Sequence, residues 1–217
     1  MTTTTHLSRD IPLDLSGSAL LVVDVQNGFA KAGVGAYAAL NPEQIPTELS
    51  YYFDRINQTV VPNIAQLQAA CRAKQVEVLF TNIECLTLDG RERGLDYKIS
   101  GFLIPKGSFE AQSLDEVKPY GDEIVIPKSS SSVFNSTNID YVLRNLGIRQ
   151  LVVTGLVTDQ CVEGAVRDAC DLGYLVTLVE DACGTYSEER HQSSLRALSG
   201  YCRIVTTVQL TRELRDG

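Results

Sequence analysis

The sequence has no tryptophan, a single methionine and only two histidines, His6 and His191, in 217 residues. Neither histidine has another histidine or a cysteine at metal-ligand spacing, so a zinc site of the ordinary type is not expected. The six cysteines form no C-x-x-C pair, and a chain of this length can bury a hydrophobic core without disulfide bonds. We therefore expect reduced thiols, no metal and no other cofactor.

Positive charge is also scarce, because 19 lysines and arginines stand against 27 aspartates and glutamates, for a formal net charge of −8. Proteins that bind nucleic acids or anionic membranes through a basic surface need the opposite balance, so we expect neither partner. No apolar run approaches the ~20 residues of a membrane span, and residues 1–10 lack the apolar core of a signal peptide. These features predict a cytoplasmic protein.

Motifs of several other enzyme classes are missing as well. The chain has no P-loop and no G-x-S-x-G turn, so no motif in the sequence indicates an NTPase or a serine hydrolase. Gly33-Val-Gly-Ala-Tyr-Ala38 fits the pattern G-x-G-x-x-A, but it begins nine residues after Asp24 and not at a strand-to-helix turn. A dinucleotide cofactor is therefore not expected.

Short apolar runs recur along the chain with the composition of strands that are buried on both faces. They are residues 19–25, 76–81, 123–126, 150–154, 175–179 and 203–207. Apolar residues at helical spacing lie between these runs, for example Ile139, Val142, Leu143 and Leu146. Strands that alternate with helices form right-handed crossovers and a mostly parallel sheet. The sequence therefore predicts a Rossmann-like, three-layer α/β/α domain with six strands.

The same patterns predict one domain over residues 18–210, preceded by an N-terminal arm over residues 1–17 that is rich in threonine. The longest stretch without clear periodicity is residues 84–108, and six of the thirteen residues from Asp89 to Gly101 are charged. Irregular segments of this length are usually either functional or disordered, and residues 84–108 are our candidate lid.

Three polar residues follow three different predicted strands: Asp24, Lys128 and Cys161. Alone, each has an ordinary explanation, as a turn carboxylate, a solvated charge and a small buried apolar residue. Ligands of doubly wound sheets bind beyond the carboxyl ends of the strands, so all three side chains can meet in one crevice. The remaining five cysteines are interpreted as buried apolar residues.

Together, the three side chains predict an activated nucleophile. Cys161 falls in the first turn of a predicted helix, where the helix dipole and a nearby lysine cation lower the pKa of a thiol. Asp24 would accept the thiol proton and later return it. The backbone N–H groups of residues 156–161 are suitably placed to bind an oxyanion. A hydrolase that acts by acyl transfer is implied.

Three blocks of sequence resemble those of the isochorismatase-like cysteine hydrolase superfamily. They are residues 22–29, residues 127–137 and residues 155–169, and the similarity extends roughly from Ser18 to Thr207. The resemblance implies the isochorismatase-like hydrolase fold, with Asp24, Lys128 and Cys161 as the catalytic triad. It also implies a cis peptide bond between Leu156 and Val157, an oxyanion hole made by the N–H groups of Val157 and Cys161, and a homodimer or homotetramer.

The resemblance leaves the reaction open. Family members that hydrolyse isochorismate lack the nucleophilic cysteine, and the nicotinamidases have an Asp-x-His metal motif that is missing from residues 81–85 here. Cys161 thus favours a metal-independent amidohydrolase of a small amide, ureido or carbamoyl substrate, such as ureidoacrylate, biuret or an N-carbamoyl amino acid, which releases ammonia or an amine through a thioester. The alternatives are hydrolysis of a non-amide bond, such as a vinyl ether, and a non-catalytic binding module.

The substrate-binding residues are predicted from position and charge alone. The charged stretch of the candidate lid could supply an arginine that holds a substrate carboxylate in bidentate fashion, although each residue also fits a solvated loop. His191 shares a helical face with Leu195 and Leu198, which indicates a core histidine and not a catalytic base. The candidates for lining the pocket are Asn82, Glu84, Arg91, Arg93, Tyr97, Lys98 and Phe134.

Overall fold

A computed structural model describes residues 8–216, so the threonine-rich part of the predicted N-terminal arm lies outside the described residues. The rest of the arm follows the domain surface, where Leu13 and Leu15 pack against the core. The Asp14 side chain accepts a hydrogen bond from the Ser16 N–H and begins the short 3-10 turn Leu15–Gly17, which leads into the first strand. The bounds of arm and domain stay a prediction.

Six parallel strands form one sheet in the order β3-β2-β1-β4-β5-β6. The strands are β1 (Ser18–Val23), β2 (Glu77–Ile83), β3 (Ile124–Lys128), β4 (Gln150–Leu156), β5 (Leu175–Gly184) and β6 (Arg203–Val205). The strand order reverses between the neighbours β1 and β4, and such a switch point opens a crevice at the carboxyl ends of the strands. The predicted six-stranded α/β fold is confirmed.

Helices cover both faces of this sheet. They are α1 (Asn27–Ala30), α2 (Thr47–Arg55), α3 (Val61–Ala73), α4 (Leu95–Ile99), α5 (Val133–Ser136), α6 (Ile139–Asn145), α7 (Glu163–Asp171), α8 (Glu188–Leu198) and α9 (Thr207–Asp216). Turns of π-helix, Ile56–Val60 and Thr158–Val162, precede α3 and α7. Among residues 8–216, none of the helices combines the length and the apolar composition needed to span a bilayer.

The central strand β1 explains why the apolar runs are continuous. Ala19, Leu21 and Val23 point into the core on one face of the sheet, and Leu20 and Val22 point into the core on the other. All five side chains are buried. Burying a residue as large as leucine or valine contributes about 1.5–3 kcal/mol, so a strand covered on both faces favours apolar side chains at successive positions. The buried Ser18 at its start donates a hydrogen bond to the Gln150 side chain over 2.9 Å.

The last two strands differ from their predicted bounds. The fifth strand continues to Gly184. A bulge beside Gly155 shifts its register with β4, and the pairing of the two strands resumes beyond the bulge. The bulge places Asp181 where its Oδ1 accepts hydrogen bonds from the N–H and the hydroxyl of Thr207, at distances of 2.7 and 2.8 Å. Thr207 thus begins α9, and the sixth strand ends at Val205.

Residues 84–108 are folded and contain α4, which the sequence patterns did not predict. The Cys85 N–H donates to the Ile104 carbonyl over 2.9 Å, and the Gly94 N–H donates to the Ser129 carbonyl over 3.1 Å. Within the segment, the side chains of Tyr97 and Ile104 are buried. The segment therefore packs over the edge of the sheet near β3, and its movement as a lid stays a prediction.

Gly155 permits the close approach of β1 and β4 at the switch point. Its φ is +117°, and a Cβ added there would lie only 2.1 Å from the Val23 carbonyl oxygen. That separation is far inside van der Waals contact with backbone, which cannot rotate away as a side chain can.

Replacing Gly155 with alanine is therefore expected to lower the free energy of unfolding by ~3 kcal/mol or more, since it adds a clash to an unfavourable φ. Urea denaturation measures the change. Gly173→Ala is the matched control, because Gly173 also has a positive φ, +91°, but no atom within 4 Å of the added Cβ. It should lose only about 1–2 kcal/mol. Equal losses in the two variants would contradict the role of the close approach.

Candidate active site

The structure brings Asp24, Lys128 and Cys161 together at the carboxyl edge of the sheet. The Lys128 Nζ lies 2.8 Å from the Asp24 Oδ2 and 3.4 Å from the Cys161 Sγ. All three residues are buried, with exposed fractions of 2%, 1% and 6% for Asp24, Lys128 and Cys161. Asp24 follows β1 and Cys161 follows β4, the two strands that flank the switch point, whereas Lys128 ends β3 and reaches past β2.

Asp24 is fixed by the neighbouring strand β2. Its φ is +53°, an uncommon value for a residue other than glycine. Its N–H donates to the Thr81 carbonyl, and its Oδ1 accepts a hydrogen bond from the Thr81 hydroxyl, both over 2.9 Å. Thr81 therefore orients the carboxylate, and its only signal in the sequence was a hydroxyl near the end of an apolar strand.

Lys128 is held as a buried cation by a ring of acceptors. Besides Asp24 and Cys161, its Nζ donates to the carbonyls of Ser130 and Ser131 over 2.9 and 3.0 Å. An ammonium group has three donors, and a buried charge without partners is very unfavourable. The serine-rich loop after β3 thus completes the lysine site, and losing either charged partner of the pair leaves the other uncompensated.

The electrostatics of the site oppose the expected thiolate. Burial opposes the charge of Lys128, but the Asp24 carboxylate and Cys161 outweigh burial and raise the pKa of Lys128. Burial and then the Asp24 charge raise the pKa of the Cys161 thiol to about 12, against the lowering influence of Lys128. The lysine cation is already paired with the aspartate, so the surroundings of Cys161 favour the neutral thiol.

The turn that carries Cys161 begins with a cis peptide bond between Leu156 and Val157. The Val157 carbonyl accepts hydrogen bonds from the N–H groups of Gln160 and Val162, over 3.0 and 3.3 Å, and so closes the π-helical turn around Cys161. Val157 and Cys161, the residues predicted to form the oxyanion hole, both line the cavity described below.

A buried histidine supports this turn from behind. In α8, the His191 Nδ1 lies 2.9 Å from the Thr158 Oγ1, and its Nε2 lies 3.2 Å from the Arg55 Nη2. Because a guanidinium can only donate, Nε2 accepts and Nδ1 carries the hydrogen that Thr158 receives. Burial and then the Arg55 charge lower the pKa of His191, so the ring is neutral. Sequence reasoning missed Arg55 and Thr158, which are far apart in the chain.

A cavity of about 470 Å³ is lined by Asp24 and Cys161, with Lys128 behind them and outside the lining. Aromatic rings form much of its wall: Phe29 and Phe102 stack with their centroids 5.1 Å apart, and Tyr97 meets Phe102 edge-on at 4.8 Å. Five of the lining residues were predicted as site residues, namely Asp24, Tyr97, Leu156, Val157 and Cys161. The rest of the lining was not predicted. Those unpredicted residues are Phe29, Gly35, Ala36, Ile83, Asp96, Ser100, Gly101, Phe102, Leu103, Ile104, Gln160 and Tyr186.

The charged candidates from residues 84–108 do not line the cavity. Arg91 pairs with Asp89 over 3.1 Å at the surface. Arg93 donates to the carbonyls of Asp89 and Gly90 over 3.1 and 2.9 Å, which makes it a support of the segment. Lys98 is exposed on α4 and is also absent from the lining. The hydrogen bonds within the segment turn both arginines away from the site.

Three further candidates also lie outside the cavity. The amide of Asn82 and the hydroxyl of Ser113 are 3.3 Å apart, within hydrogen-bonding distance. The Glu84 Oε1 accepts a hydrogen bond from the Gly107 N–H over 2.6 Å. Phe134 packs against the Tyr174 ring, with centroids 6.0 Å apart. Each of these side chains is occupied by a structural contact.

Comparison of the chain with known protein families identifies the family to which it belongs. Residues 18–209 match the family model described as the isochorismatase domain. The chain belongs to the isochorismatase family. This match confirms the family resemblance of the sequence and covers most of the chain.

Solved structures of the family have the same fold. A cysteine hydrolase from Pseudomonas syringae pv. phaseolicola 1448A matches with a TM-score of 0.79 and 21% identity, over 95% of this chain and 96% of that chain. An isochorismatase family protein from Desulfovibrio vulgaris subsp. vulgaris str. Hildenborough matches with a TM-score of 0.75 and 26% identity, over 92% and 99%. N-carbamoylsarcosine amidase from Thermoplasma acidophilum matches with a TM-score of 0.66 and 24% identity, over 88% and 96%.

The charges around Cys161 predict that Asp24→Asn makes the thiol more reactive toward iodoacetamide at pH 8. The substitution removes the negative charge that raises the thiol pKa and leaves the lysine cation to pair with the sulfur. Mass spectrometry of the Cys161 peptide measures the alkylation rate against pH, and Cys170 in the same protein is the internal control. A slower reaction at Cys161 in the folded variant would contradict this account of the site.

Proposed function

We propose that this isochorismatase-family protein is a metal-independent cysteine amidohydrolase that cleaves a C–N bond of a small amide, ureido or carbamoyl compound. The observation that carries the proposal is the contact of the Cys161 thiol with Lys128, itself paired with Asp24, beside the cavity. A nucleophile, a base and a cation in contact at a cavity are the parts needed for acyl transfer.

In the first step, the Cys161 Sγ attacks the substrate carbonyl carbon while Asp24 accepts the thiol proton. The Asp24 Oδ2 lies 2.8 Å from the Lys128 Nζ, and the carboxylate keeps further lone pairs that can accept that proton. Proton transfer neutralises the carboxylate as the negative charge moves to sulfur, and Lys128 then becomes the counter-ion of the sulfur. Protonation of Asp24 thus removes the negative charge that raises the pKa of the thiol in the resting protein.

The remaining steps use the same groups. The tetrahedral oxyanion accepts hydrogen bonds from the N–H groups of Val157 and Cys161, a stabilisation that is commonly worth several kcal/mol. The C–N bond then breaks, Asp24 returns its proton to the departing nitrogen, and a thioester remains on Cys161. Water attacks the thioester, Asp24 accepts a proton from the water, and the acid product leaves as the proton returns to the sulfur.

The name of the structurally similar N-carbamoylsarcosine amidase describes amide hydrolysis on the same fold, which supports this reaction class. We further expect a cytoplasmic protein that forms a homodimer or homotetramer and acts without a metal or another cofactor. Its partner would be a small-molecule amide or ureido substrate and not a nucleic acid or a membrane.

The proposal predicts that Cys161→Ala folds normally but loses at least about a thousandfold in turnover, because the nucleophile is gone. Ammonia release is measured over a panel of ureido acids, carbamoyl amino acids, biuret and simple amides. Cys170→Ala is the control, since Cys170 does not line the cavity, packs at the margin of the core and donates a hydrogen bond to the Tyr201 carbonyl. Equal activity in the two variants would refute the role of Cys161.

Two further measurements distinguish the amidohydrolase from a hydrolase of a non-amide bond and from a binding module. Rapid quenching and mass spectrometry should reveal an acyl group on Cys161 with a cleaved substrate, and activity should survive treatment with a chelator. Turnover of a vinyl ether without release of ammonia from any amide would favour the non-amide hydrolase. Binding without turnover of any compound would favour the binding module.

A further inference from the structure

The cavity has an unusual balance of charge. Among residues 8–216, its lining includes two carboxylates, Asp24 and Asp96, and no lysine or arginine. The charge of Asp24 is compensated by the ion pair with Lys128, 2.8 Å away, and burial and the Asp24 charge raise the pKa of the Cys161 thiol and so favour its neutral form. Asp96 is therefore the uncompensated formal charge of the lining.

Asp96 lies in the first turn of α4, directly before the buried Tyr97 of the cavity wall. Its side chain is exposed, and no described residue forms an ion pair or a side-chain hydrogen bond with it. The two nearby arginines are occupied elsewhere, since Arg91 pairs with Asp89 and Arg93 donates to backbone carbonyls. The exposed Lys98 of the same helix does not line the cavity. The carboxylate can therefore act on a ligand in the cavity.

The aromatic wall favours the same sign of charge. The faces of Phe29, Phe102 and Tyr97 carry the negative side of their ring quadrupoles, which attracts cations such as ammonium groups. Tyr186 stacks on Tyr52, and the Arg190 guanidinium already lies over its ring at 4.9 Å. The protein as a whole has a formal net charge of −8, which raises the local concentration of cations and lowers that of anions. Each of these features disfavours a carboxylate in the cavity.

We propose, building on the amidohydrolase function, that the preferred substrates carry a cationic group at the end remote from the scissile C–N bond, and that Asp96 sets this preference. The distal ammonium or similar cation lies among the aromatic rings near Asp96, while the carbonyl carbon lies at the Cys161 Sγ. The expectation that lid arginines hold a substrate carboxylate is replaced, because neither arginine lines the cavity.

Three ureas of matched length test the preference: 2-aminoethylurea, propylurea and 3-ureidopropionate, which are cationic, neutral and anionic at pH 7. The value of kcat/KM for ammonia release should fall in that order. A larger kcat/KM for 3-ureidopropionate than for 2-aminoethylurea would overturn the inference and leave the amidohydrolase proposal intact.

Binding of the same three compounds to the Cys161→Ala protein separates the two proposals. Calorimetry should give the tightest binding for 2-aminoethylurea. If that order appears but the native protein turns over none of the compounds, the charge preference stands and the amidohydrolase proposal fails. Tighter binding of the anion, or binding of none of the three, would overturn the charge preference.

Asp96→Asn should lower the ratio of kcat/KM for the cationic urea over the anionic urea by about twofold to fivefold, the range of an exposed charge pair. Added NaCl should lower the ratio of the native protein toward that of the variant, since salt screens exposed charges. Asp89→Asn is the matched control, because it removes the same charge from the same segment outside the cavity lining. An equal change in both variants would contradict the role of Asp96.

Discussion

The buried ion pair between Asp24 and Lys128 governs the chemistry of the whole site. Removing two charges from water is costly, and the pair is maintained only because Thr81 and the carbonyls of Ser130 and Ser131 satisfy their remaining hydrogen-bonding groups. Breaking such a pair by removing one partner commonly costs about 3–5 kcal/mol. The pair also determines the state of the thiol, since a lysine that is paired with a carboxylate is not the counter-ion of a thiolate.

The fold brings the pair to the nucleophile through constraints that act along the strands. Parallel strands end at the same edge of a sheet, and the reversal of strand order places the residues after β1 and β4 side by side. The approach of these two strands depends on the absence of a side chain at Gly155. Behind the turn, the neutral His191 fixes Thr158 and thereby the backbone next to Cys161. The packing of the strands and of His191 thus also determines where the residues of the site lie.

The sequence predicted what depends on strand periodicity and on charged groups at strand ends. The six strands and the meeting of Asp24, Lys128 and Cys161 follow from the alternation of apolar runs with helices. The cavity wall did not follow, because Phe102 and Asp96 reach it only through the fold of residues 84–108, which has no periodic pattern. The arginines of that segment were misassigned for the same reason.

The charge state of the thiol does not follow from the sequence, for a different reason. A cysteine near a helix start and a lysine suggests a thiolate, but the net effect depends on burial and on which anion the lysine pairs with. Those two quantities are set by tertiary structure. Sequence spacing predicts that Asp24, Lys128 and Cys161 meet, and only the distances between them determine how the charges are shared.

The most direct test of this account is a pH titration of the Cys161 Cβ resonance in protein labelled with ¹³C-cysteine, assigned by comparison with Cys161→Ser. The account predicts the chemical shift of a neutral thiol from about pH 6 to about pH 9, beyond the ordinary cysteine pKa of ~8.5. A thiolate shift at neutral pH would contradict it, because Lys128 would then serve the sulfur and not Asp24.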